Sequence, residues 1–183
     1  MRPDEGSPPD GWGELRSRTV TWWDPMIGAR AMHDLSGREY LQAMIDGRLP
    51  PAPIGGLMAM NAVSVGEGTV EFRCRPDESA YNPIGLVHGG LVCTLLDSVA
   101  GCAVHSTLPA GVGYTSLEIK VSYLRPVRHG GGELTATGRV TKPGRRAAFA
   151  DGEVRDGDGR LVATASSTCL VFPLGDGSRG DSR

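Results

Sequence analysis

A chain of 183 residues, 39% hydrophobic and 22% charged, is long enough for one domain with a sizeable core. A formal net charge of −2 shows no basic excess, which argues against nucleic acid or an anionic membrane surface as partner. Four scattered cysteines, Cys74, Cys93, Cys102 and Cys169, form no CxxC pair, so buried free thiols are expected, not a disulfide framework or a zinc site.

Residues 1–35 read as an N-terminal arm, partly disordered, because the first 19 or so are rich in Pro, Gly and charge. The role of Trp22 and Trp23 within it is open at this level, docking of the arm on the domain being the plainer choice. No basic stretch leads into an apolar one at the start of the sequence, and no run reaches the roughly 18 apolar residues that span a bilayer. A cytoplasmic location without membrane contact is the expectation. Residues 36–173 form the predicted domain, and residues 174–183, with an RGD read as chance, a disordered tail.

Ser36 with Glu39 three residues on, followed by Tyr40, Leu41, Met44 and Ile45, predicts a short amphipathic helix over 36–49, stopped by the prolines of PPAPIGG. From Leu57 the period changes: LMAMNAVSVGEGTVEFRCR predicts two strands with a turn at GEG. Residues 89–107 predict a second helix, and apart from Asp97 and His105 it holds no ionisable side chain. Leu91, Val92, Leu95, Leu96, Val99, Ala100, Ala103 and Val104 cover most of its circumference, the pattern of a helix surrounded by protein.

Strands are predicted over 114–124, with Leu117, Ile119, Val121 and Tyr123 on one face, and over 133–141, 146–155 and 160–172. KPGR and DGDG are read as turns between them; the latter lacks the closing Glu of a calcium loop. The expected architecture is α+β, an antiparallel sheet of five to six strands wrapped around a central helix. His33 and His129 read as surface residues, and His105 as packing or capping the helix C-terminus, where positive charge is favoured.

An ionised carboxylate unpaired in an apolar interior costs several kcal/mol, so Asp97 must be paired, neutralised or facing a wet cavity. The plainer alternative is a helix-interior Asp that reaches solvent or bonds nearby Thr94 or Ser98. Its neighbours at helical spacing, Cys93, Ala100 and Gly101, are small and leave room for a ligand.

His88, Gly89 and Gly90 sit where free backbone N–H groups and the helix dipole converge, a place suited to a developing oxyanion. The alternative is a tight turn into a helix. His88 and Asp97 are half a turn out of phase and roughly 13 Å apart along an ideal helix. If both are functional, the carboxylate must come from a second copy, which predicts a homodimer with two composite sites.

Asn82, His88-Gly89-Gly90 and Asp97 together resemble the signature of the hotdog-fold acyl-CoA thioesterases, in particular the PaaI-like branch, over residues 36–173. The resemblance implies strand pairing across a dimer, often a tetramer, and hydrolysis of an acyl-CoA thioester to free acid and CoA without metal or organic cofactor. It implies that the Gly89 N–H polarises the thioester carbonyl beside Gly90, and that Asn82 and His88 organise that loop. Asp97 from the partner would act as general base or nucleophile, and Ser116, ten residues before Pro126, would hold the attacking water. No GxSxG motif appears, in keeping with that simpler design.

CoA needs cations near its phosphates. Two clusters qualify, Arg125 with Arg128 and Lys142, Gly144, Arg145 and Arg146, although solvated turn charges explain them almost as well. Leu57, Met58 and Met60 are candidates for an acyl pocket or plain core, and Tyr81 for its entrance. Two other functions compete: a non-catalytic acyl-CoA binder, and a hotdog hydratase or dehydratase, which usually places its His and acid in a different local pattern. The acyl group and the choice of dimer or tetramer are open at this level.

Overall fold

Helix α4, Gly89–His105, is buried over most of its circumference, with a partly covered stripe through Gly90, Cys93, Thr94, Asp97, Ser98 and Cys102, and the rest of the chain is arranged around it. In a computed structural model that describes residues 11–128 and 130–175, six strands wrap it in one antiparallel sheet. These are β1 (Met60–Gly66), β2 (Thr69–Cys74), β3 (Val112–Tyr123), β4 (Leu134–Lys142), β5 (Ala147–Arg155) and β6 (Leu161–Pro173), in the order β1-β2-β4-β5-β6-β3. The α+β expectation holds, with the helix at the centre.

Alternation explains the wrapping. Along β4, β5 and β6 every second residue is buried, and many of those are small: Ala136, Ala148, Ala150, Ala163 and Ala165. Small inner side chains bring the helix down onto the sheet. At Gly138 the approach is closest, since a Cβ there would lie 2.0 Å from the Val99 carbonyl oxygen. Any side chain at 138 would push the helix off β4.

Strand β3 departs from the simple alternation. Its pairing with β6 slips between Ser116 and Glu118, leaving Leu117 as an extra, 60% exposed residue. Leu117 therefore does not share a buried face with Ile119, Val121 and Tyr123. The bulge has a consequence for the site: Tyr114 and Ser116 before it, and Ile119, Val121 and Tyr123 after it, all turn toward the α4 side.

Three short helices precede or flank β1: α1 (Pro25–Ala31), α2 (Gly37–Ile45) and α3 (Pro53–Met58). The α2 capping box is present as expected, with Ser36 Oγ accepting from Glu39 N and the Glu39 carboxylate accepting from Ser36 N. Leu57 and Met58, expected to open a strand, instead end α3. Pro53 at the first helical position starts that helix, and Ala59, with φ of 51°, turns the chain into β1. Helix α1 was not foreseen, because seven residues carry too little periodicity to stand out.

The arm is tied down by charge. Arg16 bridges Glu78 at 2.5 and 2.7 Å, and Arg18 reaches Asp77 at 3.0 Å and the Leu57 carbonyl. Trp22 and Trp23, the plainer candidates for docking it, are 64% and 71% exposed. At the other end the Leu174 N–H donates to the Gly111 carbonyl, so the first residue of the expected tail is held. The rest of the tail beyond 175, the start of the arm (1–10) and His129 lie outside the described residues. All four cysteines are free; Cys74 and Cys169 are buried, Cys93 and Cys102 half-buried. Among the described residues no helix is long and apolar enough to cross a membrane.

Candidate active site

The segment leading into α4 is held by its own side chains. Asn82 Oδ1 accepts from Ile84 N and Leu86 N, both at 3.1 Å, and the Asn82 N–H donates to the Leu86 carbonyl at 2.8 Å. The tight loop so formed needs φ of +75° at Gly85. The backbone then runs to His88, whose N–H donates to the Ala80 carbonyl.

His88 is the N-cap of α4, with Nδ1 accepting from Gly90 N at 2.8 Å. A neutral imidazole that accepts at Nδ1 carries its proton on Nε2, so the exposed edge of the ring is a donor. The Gly89 N–H has no acceptor among the described residues. It is one of the orphan donors of a helix start, at the positive end of the dipole.

Tyr123, to which no site role was assigned from sequence, completes this corner. Its hydroxyl donates to the Gly89 carbonyl at 2.9 Å, and its ring lies where a Cβ on Gly89 would fall, 3.2 Å from Cζ. A cleft of about 300 Å³ opens here, walled by Asn82, Gly89, Val92, Tyr123 and Arg125. The only sequence signal for Tyr123 was its place on the helix-facing side of β3.

Asp97 is partnered from the sheet, not from its own helix. Ser116 Oγ donates to Asp97 Oδ1 at 2.7 Å. Thr94 and Ser98, the local alternatives, spend their hydroxyls on the carbonyls of Gly90 and Thr94. Both Asp97 and Ser116 border a second cavity, about 260 Å³, whose other walls include Met44, Ile54, Met60, Phe72 and Tyr114. A carboxylate thus faces an apolar hollow, tethered by one hydroxyl.

Among the described residues, Gly89 and Asp97 line different cavities. Eight residues of helix separate them by about 12 Å along the axis, and each opens to its own hollow. Of the expected acyl-pocket residues, Met60 lines the Asp97 cavity, Met58 packs against the core and Leu57 is half exposed.

The two cation clusters lie apart. Arg125 walls the Gly89 cleft and donates to the Leu161 carbonyl at 2.7 Å, while Arg128, exposed, bridges Leu86 in the same corner. Lys142 ends β4, and Gly144 and Arg145 border a separate hollow with Thr107 and Leu108, past the far end of α4. Arg146 follows in that turn, its carbonyl accepting from Val171 N.

His105 is 3% exposed, between the rings of Tyr40 and Tyr114 at 5.2 and 5.4 Å. Burial lowers its pKa to about 4, so it stays neutral, and the expected favourable charge at the helix C-terminus is absent. Burial likewise pushes the Tyr114 hydroxyl well above the ordinary tyrosine value, and the Cys102 thiol beside it up to about 11. Neither is an ionised nucleophile.

Comparison with known proteins gives this geometry a context. The family model described as the thioesterase superfamily matches residues 84–163, from within the Asn82 loop to the first residues of β6. A protein of Ralstonia eutropha JMP134, described as a thioesterase related to phenylacetic acid degradation, is 32% identical in sequence; the match covers 72% of this chain and 98% of that one, with a TM-score of 0.66. This chain belongs to the thioesterase superfamily.

The human acyl-coenzyme A thioesterase 13 is 29% identical over 132 residues, 72% of this thioesterase and 91% of the relative. The PaaI protein of E. coli, at 21% identity, covers 76% of this thioesterase and 97% of its own chain with a TM-score of 0.66, a likeness of fold. The hotdog fold expected from the helix-start motif is therefore present, in its PaaI-like form, and this thioesterase is an enzyme of thioester hydrolysis.

Proposed function

We propose that the protein hydrolyses an acyl-CoA thioester to the free acid and CoA, at two composite sites of a homodimer. Each site joins the Gly89 corner of one subunit to the Asp97 cavity of the other. The observation that carries this reading is the separation just described. An orphan N–H and a tethered carboxylate, both suited to one reaction, open to different hollows of one chain.

Strand β3 supports the same conclusion. It is an edge strand of twelve residues, one side of which pairs with no other strand among the described residues, a template for another strand. It also touches both halves of the site, through Ser116 to Asp97 and through Tyr123 to Gly89. Antiparallel pairing of two β3 strands about a two-fold axis at Lys120 sets Glu118 opposite Ser122 and Ile119 opposite Val121 of the other copy. The Leu117 bulge then brings Ser116 opposite Tyr123, so each Asp97 arrives beside the other chain's Gly89.

In such a site the thioester oxygen takes the Gly89 hydrogen bond, with His88 capping the same turn and Asn82 fixing the loop. Asp97, held at one oxygen by Ser116, uses the other to take a proton from water as that water attacks the carbonyl carbon. The negative charge that builds on the thioester oxygen is stabilised at the helix start. Collapse of the tetrahedral intermediate breaks the C–S bond, and the proton on Asp97 passes to the departing CoA sulfur. A thioester has a good leaving group, so one base and one donor suffice.

Arg125 and Arg128, in the Gly89 corner, are placed to meet CoA phosphates outside the cleft. The human relative's name supports CoA as the thiol. Free-thiol release from a panel of acyl-CoAs tests the reaction, with crotonyl-CoA hydration followed in parallel. Hydration without thiol release would make the protein a hydratase, and binding without either would make it a carrier or sensor. Single turnover in ¹⁸O water separates the two roles of Asp97, because label enters its carboxylate only if it is the nucleophile.

A further inference from the structure

The Asp97 cavity has a size and an end wall, and from these we infer that the enzyme is built for compact acyl groups of up to about ten carbon-sized atoms, and discriminates against long fatty chains. This rests on the reading of Asp97 as the hydrolytic carboxylate, which fixes the thioester carbonyl at the mouth of that cavity and sends the acyl group into it.

The volume sets the class. An apolar cavity of about 150 Å³ is filled by benzene, six carbons. By proportion, the 260 Å³ here takes about ten such atoms. A single ring on a short arm, or a straight chain of eight to ten carbons, fills it; a two-carbon acyl leaves most of it empty; sixteen carbons exceed it.

The far wall does not yield. Tyr114 lies against the backbone of α4, where a Cβ on Gly101 would come 2.5 Å from its ring. Behind it stands His105, itself buried against Tyr40. Three rings from α2, α4 and β3, tilted at 53° and 41° to one another, pack in series and brace the Tyr114 ring. Cys102 closes the same end, its sulfur 3.9 Å from the Tyr114 hydroxyl.

The opposite wall is soft. It is made by Met44 on α2 and Ile54 on α3, a helix of only six residues with two glycines, and Ile54 is 40% exposed. A longer chain enters only by lifting this side, which exposes apolar surface that the compact substrates leave covered.

The test is the ratio of kcat/KM across acetyl-, octanoyl-, 3-phenylpropanoyl- and hexadecanoyl-CoA, each kept below its micelle concentration. The inference expects octanoyl or phenylpropanoyl to exceed both acetyl and hexadecanoyl by at least tenfold. A hexadecanoyl value equal to or above octanoyl overturns it, as does a best rate with acetyl. No turnover of any ester would instead defeat the proposed hydrolysis, so the two failures are distinct. Two variants probe the walls: Ala62→Phe, which fills the cavity, should cut the octanoyl-to-acetyl ratio at least tenfold, and Met44→Ala, which opens the soft side, should raise hexadecanoyl relative to octanoyl. Unaltered ratios in folded preparations of either variant count against the assignment.

Discussion

Ser116 Oγ stands 2.7 Å from Asp97 Oδ1, a hydrogen bond joining the edge strand to the central helix. It holds one carboxylate oxygen and leaves the other for water. Asp97→Asn keeps the shape and removes the base, so turnover should fall by about 10³-fold or more while acyl-CoA binding survives. Ser116→Ala loses only the positioning, and a decrease of about 10- to 100-fold in kcat is expected. Steady-state thiol release with binding by calorimetry checks both; an active Asp97→Asn enzyme would remove the carboxylate from the mechanism.

Gly89→Pro deletes one backbone donor with little change of fold. Proline is favoured at the first helical position, and His88, with φ of −62° and ψ of 134°, already has the extended shape that precedes a proline. The atoms nearest a Cβ there belong to the half-exposed Tyr123 ring, 3.2–3.3 Å away, which must give way. A loss of about 10²- to 10³-fold in kcat is expected, with the circular dichroism spectrum kept.

Tyr123→Phe removes the hydroxyl that holds the Gly89 carbonyl and keeps the ring. One net hydrogen bond is worth about 0.5–1.5 kcal/mol, so kcat should fall about 2- to 10-fold. Because Tyr123 acts through the helix start and not on CoA, KM should hold, and an equal rise in KM would point to a direct substrate contact instead.

Register at the dimer seam is open to a covalent test. Lys120 lies on the proposed axis, so Lys120→Cys should form an intermolecular disulfide under mild oxidant, since directly opposed residues have Cα atoms about 4.5–5.5 Å apart. Non-reducing electrophoresis against the wild-type chain reads the result. Crosslinking at Thr137→Cys, on the central strand β4, with none at position 120, would place the seam elsewhere.

Acid should weaken the fold through His105. Its unfolded pKa is about 6.5, and the folded value is lowered to about 4 by burial. Between those values the unfolded chain binds a proton that the folded chain does not, so this contribution is full above pH 6.5 and drains away as pH falls toward 4. The total is at most about 3 kcal/mol. Denaturant midpoints at pH 7.5 and 5 should differ in the wild type and differ less in His105→Phe.

Much of this was legible in the sequence because the signals are local. The apolar circumference of α4, the Ser36–Glu39 cap, and the run from Asn82 through the His88 turn to Asp97 each lie within one element or its entry. What escaped depends on contacts between elements. The Leu117 bulge is set by pairing with β6, so simple alternation put Leu117 on the wrong face. Tyr123 and Tyr114 act through what they touch, and nothing in their neighbours in sequence marks that. Helix α3 hid behind prolines that end one helix and begin the next, and the arm is held by Arg16 and Arg18, whose distant partners Glu78 and Asp77 no local pattern marks.

The composite site is tested most directly by mixing defects. Asp97→Asn and Gly89→Pro chains, each inactive alone, are co-expressed with different tags and the heterodimer is isolated through both. One of its two sites then combines an intact Gly89 with an intact Asp97, and about half the wild-type activity per dimer should return. A heterodimer as inactive as its parents would show that each chain's helix start and carboxylate serve the same subunit, and the account would be wrong.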